Sequence, residues 1–475
     1  MKQHINRIRP IHQLGFTLVE LMVSIVIGLL ILLALITLLI NVGRNNGEMS
    51  KSNRAIENGR FALQLLQADI SHTGYWGGYI PQFDDLSLVD GLAPNDIPTA
   101  VPDPCLAFAS WNAAHISNLI GIAAQSYEIP AVVPTPTLSV CASRITSPQP
   151  KTDVLVVRHA ANCLPGASNC EALDNSKVYL QSPFCGKEIS VAVQAATATT
   201  ITLAANPANP LSVNVDDFYR GSTIYVLSGP GAGQNRTISA YDGATRVATL
   251  SAAWTTVPDI TSKFTFKYTL GTSGFSFHKR DCITAADKRK FVSNIYYVRN
   301  FAVTAGDNIP TLMRSTFNVV SGTPVHDTAD ALIEGIEGFR VEFGIDNISD
   351  ARTNIITGTD SAGVVAAANL HGSAIKWAVT TPINTSPTNR GDGSPDGAYV
   401  HCTTAVPCTA AQLMNAVAVK LYVLVRSDVP TPGYSDIKTY NLGSTTLGPY
   451  NDGFKRHLFT QTIRLVNISS RRETP

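Results

Sequence analysis

The sequence LGFTLVELMVSIVIGLLILLALITLLI (residues 14–40) decides the architecture of this 475-residue chain. From Phe16 to Ile40 it contains a single charged residue, Glu20. At about 1.5 Å per residue, a helix of this length crosses a hydrocarbon core of roughly 30 Å. The stretch therefore predicts a transmembrane helix over residues 16–40.

Basic residues precede this apolar stretch. Lys2, Arg7 and Arg9 lie within the first fifteen residues, which contain no Asp or Glu. Positive charge beside a membrane segment favours the cytoplasmic side, so we expect a cytoplasmic N-terminus and an extracytoplasmic C-terminal domain. No small-residue cleavage site of the secretory type follows Ile40, and the sequence therefore predicts a retained single-pass anchor.

Glu20 is the unusual residue of the anchor. A carboxylate at the centre of a membrane helix costs about 3 kcal/mol on insertion scales, and such groups are usually paired or functional. A side chain this close to the helix start also reaches the polar interface. Spacing alone leaves both interpretations open.

The junction Leu14-Gly15 followed by Phe16-Thr17-Leu18-Val19-Glu20 resembles the type III signal sequence of type IV pilins and type II secretion pseudopilins. The resemblance implies that a prepilin peptidase removes the leader, residues 1–15, by cutting the Gly15–Phe16 bond. It also implies N-methylation of Phe16. Glu20 would neutralise the N-terminal amine of a neighbouring subunit and so set the register of a filament, because an unpaired charge in an apolar core is costly.

Residues 41–74 continue the helical pattern in amphipathic form, which predicts a stalk helix. The apolar positions follow helical spacing; they are Ala55, Ile56, Ala62, Leu65, Leu66 and Ile70. The polar side includes Arg54, Glu57, Arg60, Gln64, Gln67 and Asp69. Three glycines, Gly43, Gly47 and Gly59, are candidate bends. The stretch from Glu57 to Tyr75 resembles the helix that follows the membrane segment in PilW-type minor pilins.

Residues 75–475 change to short β-branched runs separated by Pro and Gly, which are typical of half-buried antiparallel strands. The predicted fold class is α+β and pilin-like: one long helix packed on an antiparallel sheet, with long loops. Three segments resemble PilW strands: 292–299 with 311–314 as strand, turn and strand, 332–346 as a central strand pair, and 455–467 as the terminal strand. Residues 186–270 match poorly and are predicted to be an inserted β module, with Asp242-Gly243 in a hairpin.

All eight cysteines lie beyond the apolar stretch, as expected for disulfides in an oxidising compartment. They are Cys105, Cys141, Cys163, Cys170, Cys185, Cys282, Cys402 and Cys408. The short spacings favour the pairs Cys163–Cys170 and Cys402–Cys408. Cys105–Cys141 and Cys185–Cys282 then remain, on weaker grounds.

The remaining composition and motifs give no support for nucleic-acid binding or catalysis. With 36 Lys and Arg against 35 Asp and Glu, net charge is +1, so no specific nucleic acid is predicted as a partner. The glycines at 229, 231 and 233 lack the Lys-Ser/Thr of a phosphate loop. His401 with Cys402 and Cys408 lacks a second pair of metal ligands. We predict a non-enzymatic protein with no metal and no cofactor.

The expected function is that of a structural minor pilin, which primes or caps a type IV pilus. The resemblance implies other minor pilins, the major pilin, the prepilin peptidase and the inner-membrane assembly machinery as partners, with a large tip adhesin as a further candidate. It implies location in the inner membrane and then in the pilus. A J-type pseudopilin of type II secretion and a tip-displayed adhesin or DNA-binding subunit remain alternatives.

Overall fold

The structure of the chain is a computed structural model. It describes residues 15, 17–86, 93–131, 141–204, 214–377 and 387–473. Residues 1–14 of the predicted leader and Phe16 lie outside the described residues. The chain divides into two compact units, residues 1–54 and residues 55–475.

Helix α1 (Leu18–Ile70) contains both the predicted anchor and most of the predicted stalk. It ends where residues 71–74 form a turn, in which Gly74 adopts a φ of +73° that favours glycine. Gly43, Gly47 and Gly59, named above as candidate bends, all lie inside this helix. A Cβ on Gly59 would come within 2.3 Å of Phe459 Cε2, so this glycine permits close packing.

The other helices of the described residues are short; they are α2 (Ala113–Gly121), α3 (Ala410–Met414) and α4 (Val466–Ser469). The strands of the N-terminal half are β1 (Ala124–Glu128), β2 (Asp153–Ala160), β3 (Tyr179–Gln181), β4 (Val191–Ala192), β5 (Ala195–Ala196), β6 (Thr200–Thr202), β7 (Thr223–Ser228), β8 (Asn235–Asp242), β9 (Val247–Leu250), β10 (Lys263–Phe266) and β11 (Thr269–Gly271). Those of the C-terminal half are β12 (Arg289–Arg299), β13 (Thr311–Val320), β14 (Thr323–His326), β15 (Asp330–Glu334), β16 (Ile336–Ile345), β17 (Val400–His401), β18 (Ala416–Arg426), β19 (Tyr440–Leu442), β20 (Thr445–Leu447) and β21 (Arg456–Arg464).

The largest sheet runs in the order β1-β2-β12-β13-β14, with β15 also on β13 and β3 joining β12 to β11. β12 and β13 are antiparallel, with Tyr297 opposite Met313. The strand–turn–strand predicted for residues 292–314 is therefore confirmed.

The strand pair predicted for residues 332–346 needs correction. β15 and β16 follow each other along the chain but do not pair together. β15 pairs with β13 in the large sheet, whereas β16 pairs with β18 in a second sheet of order β17-β16-β18-β21. Gly335, with a φ of +81°, lies between them and allows the chain to pass from one sheet to the other.

The second sheet also differs from the expectation of half-buried strands. Every residue of β16 is buried, and β18 is buried from Ala416 to Val425 except at Lys420. One face contributes to the main core, while Tyr422 and Leu424 on the other face pack against Leu442 of β19. The segment that carries β19 and β20 thus covers a face that alternation alone would leave to solvent.

A third sheet, β4-β10-β7-β8-β9-β6-β5, lies entirely within the region predicted as an inserted module. It has its own hydrophobic cluster, separate from the main core, which includes Ile224, Trp254 and Phe264. Asp242 of β8 pairs with Val247 of β9, so the predicted hairpin forms around residues 243–246. At the base, Gln181 of β3 pairs with Thr269 of β11, which brings the entry and exit of the region together.

The end of α1 packs on the sheets within the second unit. Its buried residues recur at helical spacing; they are Ala55, Gly59, Ala62, Leu63, Leu66 and Ile70. Burying each of the larger side chains contributes about 1.5–3 kcal/mol. Together with β2, β12, β16 and β18 they form the main hydrophobic core.

Candidate assembly site

Glu20 lies in the first turn of α1 and forms a capping box with Thr17. Glu20 Oε2 accepts hydrogen bonds from the Thr17 backbone N–H and hydroxyl, both at 3.0 Å. In return, Thr17 Oγ1 accepts a hydrogen bond from the Glu20 N–H at 3.3 Å. These bonds satisfy donors that a helix start leaves unpaired. Glu20 Oε1 has no hydrogen-bond partner among the described residues.

The role of Thr17 was missed in the sequence, although the signal was present. Thr17-Leu18-Val19-Glu20 has the Ser/Thr-x-x-Glu spacing that marks a capping box. The box explains how a carboxylate is accommodated at the start of an apolar helix. It occupies one carboxylate oxygen, so it does not exclude a second partner for Glu20.

The rest of the anchor exposes a continuous apolar surface. The large hydrophobic side chains from Leu18 to Ile40 are between 43% and 75% exposed. Among the described residues, α1 is the helix long and apolar enough to cross a membrane by length and composition. A surface of this kind requires a lipid or protein environment. Of the predicted processing site, Gly15 is exposed and Phe16 lies outside the described residues.

Asp69 holds the end of α1 on the large sheet, in an arrangement that we call the Asp69 clamp. Its carboxylate binds His159 Nε2 of β2 at 3.0 Å. From β12 it accepts hydrogen bonds from Asn294 Nδ2 and Tyr296 Oη, both at 2.9 Å. Burial alone raises the pKa of Asp69, but the bonds from these partners outweigh burial and lower it below its ordinary value.

Asp69, predicted above to belong to the polar side of the stalk helix, instead faces the sheet. Its carboxylate binds three polar groups of the sheet. The partner nearest in sequence, His159, is 90 residues away. Two further contacts fix the same helix. Asn58 Nδ2 donates to the Glu334 carbonyl at 3.1 Å, and Gln461 Nε2 donates to Gln67 Oε1 at 2.6 Å.

Two protein families match this chain, one at the start of the anchor helix and one in the C-terminal part. Residues 11–36 match the prokaryotic N-terminal methylation motif, which covers Gly15, Phe16 and Glu20. Residues 295–467 match the family described as Type IV Pilus-assembly protein W, a range that covers the end of β12 and all of β13 to β21. The chain is therefore similar to the PilW family over residues 295–467, and PilW-like is used below in that sense.

Comparisons with whole proteins add little to this assignment. No curated protein matches the PilW-like chain. A solved structure, that of a type IV-like pilin from Thermus thermophilus, is similar over 38% of this chain and 70% of that chain, with 13% identity. Its TM-score is 0.17, so this likeness carries no argument.

The eight cysteines of the PilW-like chain form four disulfides: the two pairs that short spacing favoured and the two that then remained on weaker grounds. Cys163–Cys170 and Cys402–Cys408 close short loops, with sequence separations of 7 and 6 residues. Cys105–Cys141 joins residues 36 apart. Cys185–Cys282 spans 97 residues and brackets the third sheet at its base. Since Cys402 and Cys408 are bonded to each other, neither is a free thiolate for a metal.

A buried ion pair connects the largest sheet with the second sheet. Arg340 Nη1 of β16 donates to Asp153 Oδ1 of β2 at 2.7 Å, and both side chains are buried. The Val341 N–H donates to the other oxygen of Asp153 at 2.8 Å. His401, considered above as a metal ligand, lies 3.1 Å from Asp153 Oδ1. The histidine is therefore part of a structural network.

Proposed function

We propose that this PilW-like protein is a minor pilin that primes or caps the type IV pilus together with other minor pilins. Before assembly, residues 16–40 hold it in the inner membrane, with its N-terminus in the cytoplasm and residues 75–475 in the periplasm. Prepilin peptidase cuts the Gly15–Phe16 bond, and the new amine of Phe16 is methylated. Assembly then transfers the anchor helix from lipid into the filament core.

The capping box at Glu20 is the observation that carries this proposal. Thr17 binds one oxygen of the carboxylate within the subunit, and the other oxygen is available to the Phe16 amine of a neighbouring subunit. The pairing of these two charges in an apolar core removes the cost of burying either one alone. Only one axial offset between neighbouring helices brings the two groups together, so the pair also sets the register.

The domain organisation supports a role in which the anchor and the folded domain act together. The Asp69 clamp fixes the end of α1 to the sheet, so force on the helix reaches the PilW-like domain through buried contacts. We propose further that residues 186–270 are an inserted β module, because β3 and β11 pair at its base and Cys185–Cys282 brackets it. A length-tolerant surface position suits such an insertion.

Replacing Glu20 with glutamine tests the proposal. Glutamine keeps an oxygen acceptor for the Thr17 bonds but removes the charge that the neighbouring amine requires. We expect normal membrane insertion and normal removal of the leader, but about a tenfold or greater loss of the protein from sheared pili. The measurement is quantitative immunoblotting of membrane and sheared-pilus fractions from the producing bacterium.

Thr37→Val is the matched control, since it changes a polar residue of the same apolar helix and leaves Glu20 intact. We expect this variant to be incorporated at the wild-type level. Normal incorporation of Glu20→Gln would refute the proposed role of the carboxylate. If deleting the gene for this chain blocks protein secretion but leaves pili normal, the chain instead belongs to a type II secretion system.

A further inference from the structure

A cleft lies beside β1, the strand at one edge of the largest sheet. Its volume is about 450 Å³. The lining comes from the segment around Val101, from residues 125–128, and from the loop that the Cys402–Cys408 disulfide closes. Val101 is 38% exposed and Pro407 of the loop is exposed as well, so apolar side chains of the lining are open to solvent. A cleft of this size with a largely apolar lining and a few polar groups is typical of small-molecule sites.

Glu128 is the charged residue of this lining within the part of the chain that the structure describes. Its side chain is 22% exposed, so solvent reaches the carboxylate. Oε1 accepts a hydrogen bond from Arg340 Nη1 at 3.3 Å, and Oε2 accepts from the Thr404 N–H at 3.4 Å and from its hydroxyl at 3.2 Å. A carboxylate has about four acceptor positions, and charge-assisted bonds are ordinarily about 2.7–2.9 Å long. Glu128 can therefore accept a further, stronger donor.

The charges behind Glu128 do not balance. Arg340 is bound more closely by Asp153, at 2.7 Å, than by Glu128, so two carboxylates share one guanidinium. Among the described residues, no Lys and no second Arg pairs with either acid. His401 Nε2 lies 3.1 Å from Arg340 Nη1, where a neutral ring accepts a hydrogen bond and a protonated ring meets a like charge. Because Asp153 is fully buried, the excess negative charge is open to solvent at Glu128.

We propose that this cleft binds a small organic amine, whose ammonium group pairs with Glu128. The apolar body of the amine lies against Val101, Pro407 and the disulfide loop. A cavity of about 150 Å³ holds benzene, so this larger cleft has room for a body of two fused rings. An ammonium supplies the charge-assisted donor that the Glu128 carboxylate lacks. This site does not depend on the function proposed above.

Calorimetric titration of the full-length chain in nonionic detergent micelles with tryptamine at neutral pH tests the proposal, with micelles alone as the blank. Tryptamine carries an indole ring and an ammonium group, and we expect saturable binding with a stoichiometry of one. Tryptophol, which has a hydroxyl in place of the amine, should bind about tenfold more weakly because the ion pair is lost. Ethylamine, which has the charge but no ring, should also bind about tenfold more weakly.

Two variants test whether Glu128 is the group that binds the amine. Glu128→Gln keeps an acceptor for Thr404 and removes the charge, so it should weaken tryptamine binding by about tenfold or more. Thr404→Lys changes an exposed residue beside Glu128 and supplies an ammonium from within the chain, which should weaken tryptamine binding to a similar extent. Glu57→Gln is the matched control, because Glu57 is exposed and does not line the cleft. It should bind tryptamine like the wild-type chain.

Near-UV circular dichroism checks the fold of each variant, and Thr404→Lys decides if Glu128→Gln does not fold. The proposal fails if tryptamine does not bind saturably, or if tryptophol binds as tightly as tryptamine. It also fails if a folded variant at Glu128 or Thr404 binds tryptamine as tightly as the wild-type chain. Equal weakening by Glu57→Gln would refute it too, since the attraction would then be to the overall charge of the chain.

Discussion

Arg456→Met is expected to lower the free energy of unfolding by about 3–5 kcal/mol, because it leaves buried carboxylates without their cation. Arg456 Nη1 lies 2.9 Å from Asp436 Oδ2, and Nη2 lies 3.1 Å from Glu337 Oε1. Both acids are almost fully buried. Asp452 binds the same guanidinium at 2.7 Å, and the Tyr450 ring lies 3.7 Å from its Cζ. One side chain thus joins β21, β16 and the segment that carries β19 and β20.

The measurement is chemical denaturation of the full-length chain in detergent, followed by tryptophan fluorescence. Asp452→Asn is the matched control. Its side chain is 34% exposed, so its loss should cost about 1 kcal/mol or less. The double variant Arg456→Met, Glu337→Gln should recover part of the stability, since it removes one of the stranded charges. If Arg456→Met lowers the free energy of unfolding no more than Asp452→Asn does, the ion pairs of Arg456 contribute little to stability.

Asp69→Ala is expected to destabilise the end of α1 by about 3 kcal/mol, because His159, Asn294 and Tyr296 lose their common acceptor. All three partners are buried, so water does not readily replace the carboxylate. Hydrogen exchange of residues 55–70 should become faster, in step with a lower denaturation midpoint. The measurement is hydrogen–deuterium exchange with mass spectrometry on the full-length chain in detergent.

Glu57→Ala is the control for the Asp69 clamp, because Glu57 lies on the same helix and is exposed. It should change the free energy of unfolding by about 0.5 kcal/mol or less. Equal exchange rates in Asp69→Ala and Glu57→Ala would refute the clamp.

Acid should weaken the clamp in the wild-type chain and not in Asp69→Ala. The folded-state pKa of Asp69 lies below its unfolded value. The contribution of the carboxylate is therefore complete above the unfolded pKa of about 3.9 and is lost as pH falls through the folded pKa. Denaturation midpoints of the two proteins should converge in that acidic window. Midpoints that stay apart by the same amount at every pH would contradict an ionised Asp69.

The parts of the structure that the sequence predicted are those with local signals. The apolar run after Phe16 specified the anchor helix, and the short β-branched runs after residue 75 predicted the antiparallel strands. The short cysteine spacings favoured two of the four disulfides, Cys163–Cys170 and Cys402–Cys408. In these cases the residues that carry the signal also form the element or close a short loop, so no distant partner was needed.

The parts that the sequence did not predict depend on partners far along the chain. Asp69 was placed on the polar side of the stalk because the groups that bind it lie in β2 and β12. Arg456 and Glu337 are 119 residues apart, and nothing near either one indicates burial. Gly59 was taken as a bend because its low helix propensity is local, whereas its contact with Phe459 is not. The residues that bury the second face of β18, such as Leu442, likewise lie in a later segment of the chain.

The proposed processing fixes which residue begins the protein in the cell. Mass spectrometry of the N-terminal peptide, from protein purified from membranes and pili, measures cleavage and methylation together. We expect the peptide to begin with N-methylated Phe16 and to be followed by Thr17. A chain that begins at Met1, or that has been cut at any bond other than Gly15–Phe16, would contradict it.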